Sequence, residues 1–310
     1  MADNVNVIVF PGGFNLPLWA AEKQGFFTRR ALNVRLHPTA NSMQQLSGLI
    51  EGKWEIGLTS FDNVVAYQEG QGEAEVQGDP DLFVFMGGDN AFLRVVVQGD
   101  IKSYAELKGR TLAVDAMTTG FAFVLRKMLA LNGVKESDVT FERADGTMQR
   151  WEALKAGKYA GTILRTPFDL MAEKAGLRVL QNASSAFPQY QGIVGTARRA
   201  WAKENPQTLQ RFIRAYRDAL AWLYDPANRE AAAGILAQGV ANMTPELAAA
   251  VCNVFLSRPG GFEPEARVDI AGMRQVLDLR SEYGRPQKKL TDPQKYLDLG
   301  YYDAASRPGA

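Results

Sequence analysis

The 310-residue chain carries 35 basic and 34 acidic side chains, one histidine and one cysteine, and 46% of its residues are apolar. That is enough apolar mass for one large or two medium cores, and a near-neutral balance without a block of Lys or Arg argues against nucleic acid as a partner. The single Cys252 excludes an intramolecular disulfide, and no run reaches the ~18 apolar residues of a membrane span.

Residues 1–10 open on the strand-like VNVIVF without a basic region and an apolar region before it, which fits a cytoplasmic protein or a chain whose leader has been removed. Short apolar strands are expected at 5–10, 32–36, 55–59, 82–87, 93–98, 111–115, 139–143 and 161–165. Helical patterns lie between them near 17–25, 42–52, 62–70, 120–132, 148–157 and 168–175. This alternation is the signature of an α/β sheet with parallel strands and crossover helices. Within 120–132, Phe121, Val124, Leu125, Met128 and Leu129 form an apolar stripe for packing on the sheet, and Gly133 stops the helix. From about residue 200 the pattern becomes helical. Starts at ENPQ, YDPA, MTPE and TDPQ each place Pro in the first turn behind Asn205, Asp225, Thr244 or Asp292 as cap. Phe212, Ile213, Tyr216, Leu220 and Leu223 mark the buried face of the longest of these helices.

Two segments resemble each other at a constant offset of 105 residues: SMQQLSGLIEGKW at 42–54 and TMQRWEALKAGKY at 147–159. Each runs into a strand that exits in Phe-Asp, as Phe61-Asp62 and Phe168-Asp169. Such a doubling makes two lobes whose strand ends face each other across a cleft. The candidate cleft turns are FPGGFNLPLW after the first strand, TSFDN at 59–63, DAMTTGF at 115–121 and RTPFD at 165–169.

The segments LWAAEKQGFFTRRALNVRLHP, SMQQLSGLIEGKWEIGLTS, IKSYAELKGRTLAVDAMTTG and ALKAGKYAGTILRTPFD, in this order, resemble the solute-binding proteins of bacterial ABC importers. The branch is the one that includes sulfonate, taurine, nitrate and thiamine-pyrimidine-precursor (NMT1/THI5-like) binders, and the likeness covers roughly residues 5–200. It implies an α/β periplasmic-binding-protein-like fold of two lobes joined by a two-crossing hinge, with a helical C-terminal addition. Residues 1–91 and 192–310 would form lobe I, and 92–191 lobe II, with crossings near 88–95 and 188–196. It also implies a monomeric, periplasmic protein, leader removed, that delivers a small-molecule ligand to a permease and meets the membrane only there. No cofactor is implied. Three features depart from the family pattern: Glu55 and Ala160 stand where most members carry Asp, and ILRTPF replaces a commoner WEPF, which puts Arg165 and Thr166 at the cleft.

The candidate ligand set follows from these turns. Met117, Thr118, Thr119 and Gly120 sit where a strand gives way to a helix, so free N–H groups and two hydroxyls would receive an oxyanion; capping of its own helix by Thr119 is the structural alternative. Arg165 offers a fork to a planar anion, or an ion pair with Asp62, Asp115 or Asp169. If it serves the ligand, Arg165→Ala spares the stability of the unliganded protein. Phe14, Trp19, Phe61, Phe121 and Phe168 flank the turns and suit a flat or apolar ligand body, Phe14 and Phe61 foremost. Asn15, Ser60, Asp62 and Thr166 share those turns, and Asn90 and Gln191 lie at the hinges. His37, beside Pro38, reads as a solvated loop residue and Cys252 as a small core residue. No nucleotide, zinc-protease or serine-hydrolase motif is present, and no catalytic or metal site is expected. The expected ligand is a small organic anion with an aromatic or heterocyclic body. The alternatives are an enzyme that makes the thiamine pyrimidine on the same fold, whose cysteine-rich motif and histidine donor this chain lacks, and a cytoplasmic ligand-sensing domain.

Overall fold

The computed structural model describes residues 2–77, 79–258 and 260–307. Among these residues ten strands form two five-stranded sheets. The strands are β1 (Asp3–Val9), β2 (Leu32–Pro38), β3 (Ile56–Ser60), β4 (Leu82–Gly87), β5 (Leu93–Val97), β6 (Thr111–Val114), β7 (Thr140–Arg143), β8 (Gly161–Arg165), β9 (Arg178–Asn182) and β10 (Ile193–Arg198). The first sheet runs β2-β1-β3-β10-β4 and the second β7-β6-β8-β5-β9, the same arrangement twice. The helices are α1 (Leu16–Lys23), α2 (Phe26–Arg29), α3 (Ser42–Ile50), α4 (Phe61–Gln68), α5 (Gly120–Leu131), α6 (Thr147–Lys155), α7 (Phe168–Lys174), α8 (Arg199–Glu204), α9 (Pro206–Tyr224), α10 (Arg229–Gly239), α11 (Pro245–Phe255), α12 (Ile270–Tyr283) and α13 (Gly300–Ser306).

The two segments of the offset repeat take equivalent places: α3 lies between β2 and β3, and α6 between β7 and β8. The sheets are not wholly parallel as the alternating pattern suggests. β10 runs antiparallel between β3 and β4, and β5 antiparallel between β8 and β9. Each arrives directly from the other sheet, through residues 88–92 or 183–192, without the crossover helix that a parallel strand requires. β9 and β10 were not anticipated, and neither were α2, α8 and α12.

In the first sheet Val5, Val7 and Val9 of β1 are buried in one core with α1, α9, α10 and α11. The stripe Phe212, Ile213, Tyr216, Leu220 and Leu223 of α9 enters that core, as its spacing predicts. Asp225, Thr244 and Asp292 cap with their side chains. Asn205 does not, because it also ends α8 and its amide turns back to the Trp201 carbonyl at 3.0 Å. The YDPA and TDPQ starts open 3-10 turns. The edge of β4 is covered by a bridge from Val84 to Leu297, which hides an otherwise open ladder. His37 lies in β2 and not in a loop: its Nε2 meets Asn6 Oδ1 at 2.9 Å and its ring lies on Trp54. Helix α12 packs against both α4 and α5 and so spans the two halves.

Candidate functional site

The carboxyl ends of β1, β2 and β3 face those of β6, β7 and β8 around one chamber, the place where open α/β sheets hold ligands. Phe10, Phe14, Ser42, Ser60, Asn63 and Ile193 line it from the first half, and Asp115, Thr119, Gly120, Phe121, Gly146, Thr147, Arg150 and Arg165 from the second. The space open to the centres of water molecules is ≈ 30 Å³, room for a group of a few atoms. The two halves touch at its rim. A side chain on Gly146 would come within 2.7 Å of the Ala40 carbonyl, so only glycine permits this approach. Glu73 joins the halves at the same side, accepting from Ser42 at 2.9 Å and from Arg143 at 3.1 Å.

Three arginines around the chamber are buried, and each has a carboxylate. Arg165 donates from Nη2 to Asp89 and from Nε to the Ala91 carbonyl, both at 2.8 Å, while its guanidinium lies 3.8 Å from the centre of the Phe14 ring. Arg150 donates to the carbonyls of Asp145 and Ile163 and to Thr147 Oγ1, with Asp115 at 3.8 Å. Burial pushes the pKa of both guanidiniums down, and the neighbouring carboxylates oppose the shift. Arg280 of α12 forks onto Asp62 at 2.7 and 2.6 Å and reaches the Thr118 carbonyl at 2.8 Å. The hydroxyls of Ser60, Thr118 and Tyr190, like those of Tyr67 and Tyr159, are buried without a hydrogen-bond partner among the described residues. Burial raises the Tyr190 phenol pKa well above its usual value, and the Asp62 charge adds to the rise.

Of the residues expected from sequence, Phe14, Ser60, Thr119, Gly120 and Arg165 line the chamber. So does Phe121 of the flanking aromatics; the others do not reach it. Phe61 is the first residue of α4 and turns into the core, edge-on to Tyr296 at 5.8 Å. Phe168 is buried with Trp151 and Tyr159 under the second sheet. Asn15 donates to the Phe10 carbonyl at 2.7 Å, Trp19 packs against the first core, and Thr166 donates to Asp169 at 3.1 Å. Asp62 is engaged with Arg280, Met117 is exposed, and the Thr118 hydroxyl is buried. Asn90 accepts the Phe92 N–H at 3.1 Å within its own hinge segment, whereas Gln191 accepts the Asp269 N–H at 2.8 Å and donates to the Asp89 carbonyl of the other segment at 3.3 Å. The N–H of Gly120 is not free, because it donates to Asp62 Oδ2 at 2.6 Å. Thr119 gives its hydroxyl to Asp115 at 2.6 Å instead of capping α5. Arg165 is ion-paired, but with Asp89, which was not among the expected partners. Phe121 lines the chamber and also packs against the core that holds the rest of its stripe and the second sheet.

Sequence reasoning missed Arg150, Ser42, Asn63 and Thr147. For Arg150 a signal existed: at the offset of 105 it stands opposite Gln45. Both are buried polar side chains that bond to strand carbonyls, Gln45 to Ile8 and Leu58 and Arg150 to Ile163.

The family described as NMT1/THI5 like matches residues 15–229, well over half of the chain. A putative ABC transporter periplasmic binding protein of Brachyspira hyodysenteriae is 27% identical over 212 residues, 64% of this chain, and the matched chain spans 57% of that relative's length. Among solved structures, the periplasmic nitrate-binding protein NrtA of Synechocystis aligns with a TM-score of 0.79 at 12% identity, over 98% of this chain and 88% of its own. The periplasmic aliphatic sulphonate binding protein SsuA of Escherichia coli aligns with a TM-score of 0.72 at 19% identity, over 96% and 92%. These likenesses show a periplasmic-binding-protein fold with two α/β lobes, and the family match, with the doubled sheet order and the chamber between the sheets, shows that the chain belongs to the NMT1/THI5-like family.

Proposed function

We propose that this chain is the solute-binding component of an ABC importer. It works in the periplasm as a monomer, captures a small molecule between its two lobes and passes it to a permease. Lobe I comprises 1–91 and 192–310, lobe II 92–191, and the chain passes between them beside Asn90 and Gln191. The observation that carries this reading is the chamber itself: six strand ends from two matching sheets converge on it, and the unpartnered Ser60 hydroxyl stands in its wall. The phenyl rings of Phe10, Phe14 and Phe121 suit a flat or apolar ligand body, such as the aromatic or heterocyclic body expected from sequence. A body larger than a few atoms requires the lobes to part at the Gly146–Ala40 contact. An enzyme that makes the thiamine pyrimidine is less favoured, because His37 is held by Asn6 and Trp54, and Cys252 is buried in α11, both outside the chamber.

A thermal-shift screen of small sulfonates, carboxylates, pyrimidines, nitrate and neutral amides tests the reading, since a ligand of the native state raises apparent stability by mass action. Stoichiometric stabilisation without turnover is the expected result. A screen in which nothing stabilises the protein, or in which a stabilising compound is consumed, overturns it.

A further inference from the structure

Resting on the solute-binding reading above, we propose that Asp115 sets the charge preference of the chamber. It excludes simple anions and admits a neutral molecule that donates an N–H to its carboxylate. Charge bookkeeping around the chamber leads there. The Arg165–Asp89 pair is closed at 2.8 Å, with both side chains 2% exposed. Arg280 is closed on Asp62 at 2.6 Å. Arg150 faces Asp115 at 3.8 Å and spends its donors on two carbonyls and a hydroxyl. No guanidinium of the three is left to neutralise an incoming anion. The start of α5, the other natural receptor for an oxyanion, already holds the Asp62 carboxylate on the N–H of Gly120.

Asp115 itself is placed to meet a ligand. It lies in the chamber wall, its side chain is 21% exposed, and its Oδ1 accepts the Thr119 hydroxyl at 2.6 Å, with Arg150 Nη1 outside hydrogen-bond distance at 3.8 Å. Across the rim, Glu73 is held to Ser42 and Arg143, yet its pKa is raised, first by burial and then by the charges of Asp115 and Asp145. An anion entering the chamber loses its hydration beside a carboxylate and gains no unpaired cation in return. A neutral N–H donor completes the hydrogen bonding of Asp115, and the unpartnered Ser60 hydroxyl adds a second polar contact. Asp115 is thus a specificity residue that works by rejection as much as by attraction.

Two pairs of probes of matched shape test this on the whole chain: urea against nitrate, and benzamide against benzoate, by calorimetry and thermal shift. The neutral member of at least one pair binds more tightly than the anion by on the order of tenfold. In Asp115→Asn the anion gains on the order of tenfold, because the carboxylate charge that repels it and offsets that of Arg150 is gone. Asp115→Ser serves as a second variant, and the unfolding midpoint without ligand confirms that each variant is folded. Tighter or equal binding of the anion in both pairs to the unaltered protein overturns the proposal. So does a failure of both variants to admit either anion, including the case in which no probe binds any of the three proteins. Binding of a simple anion to the unaltered protein at least as tightly as its neutral partner in both pairs leaves the solute-binding reading standing and removes only the role of Asp115. That reading falls separately, if nothing in the wider screen stabilises the protein.

Discussion

Asp62 Oδ2 accepts the backbone N–H of Gly120 at 2.6 Å, although Asp62 lies in the first turn of α4 beside the first sheet and Gly120 opens α5 beside the second. The same carboxylate holds the Arg280 guanidinium, and α12, which carries Arg280, packs on both helices. One buried ion pair therefore fastens the two halves from the side of the C-terminal helices.

Removing one partner of that pair leaves a charge without compensation. Asp62→Ala is expected to cost ~3–5 kcal/mol, the usual penalty for stranding a buried charge, because Arg280 and Asp62 are at most 1% exposed. Urea unfolding measures it. A loss below about 1 kcal/mol shows that water reaches Arg280 and that the pair is not sealed.

Gly120 is required by the carboxylate against it. A methyl group there would lie 2.5 Å from Asp62 Cγ, so Gly120→Ala is expected to cost ~1–3 kcal/mol through overpacking. Made on top of Asp62→Ala, the same change should cost less than half as much, which a double-mutant cycle resolves. Equal costs in both backgrounds place the strain elsewhere.

Arg165→Ala was expected from sequence to spare the unliganded protein. The geometry reverses this. Asp89 is 2% exposed and would lose its cation, so a loss of ~3–5 kcal/mol is expected before any ligand is added. An unchanged melting temperature would return Arg165 to the ligand.

Asp169 provides a pH signature. Burial raises the pKa of its carboxyl, with Arg94 opposing, and Oδ1 has no hydrogen-bond partner among the described residues. Thr166 and Leu170 donate to it, and Glu173 adds repulsion. The folded state thus holds this proton more tightly than the unfolded state. Its contribution to stability is complete below the ordinary value of 3.8 and is lost as pH rises through the raised value. Asp169→Asn removes that loss, so the variant should gain on the unaltered protein between about pH 4 and pH 7. A stability difference that stays flat across this range contradicts the assignment.

Much of the fold is legible because periodicity is local. The eight anticipated strands all form, and the Pro-led starts open α9, α11 and two 3-10 turns. β9 and β10 escaped because RVLQN and IVGTAR are short, lack strict alternation and sit beside hinge segments that read as connections. The offset repeat identified the architecture, and it also contained Arg150, which reads as a surface helix residue until it is compared with Gln45. The partners of the charged residues were not legible. Asp62 and Arg280 are 218 positions apart, and Arg165 finds Asp89 across 76, separations over which no sequence period operates. Phe61 was misplaced for a different reason: a residue that begins a helix can face either way, and Tyr296, which receives it, lies far along the chain.

The exchange of β5 and β10 also dictates an order during synthesis. All five strands of the second sheet lie within Leu93–Asn182 and leave the ribosome together, while the first sheet remains in two pieces until Ile193–Arg198 emerges to sit between β3 and β4. The half begun first is therefore finished second. Arg280 arrives later still, so the nascent chain acquires the clasp between its halves only after both have taken shape.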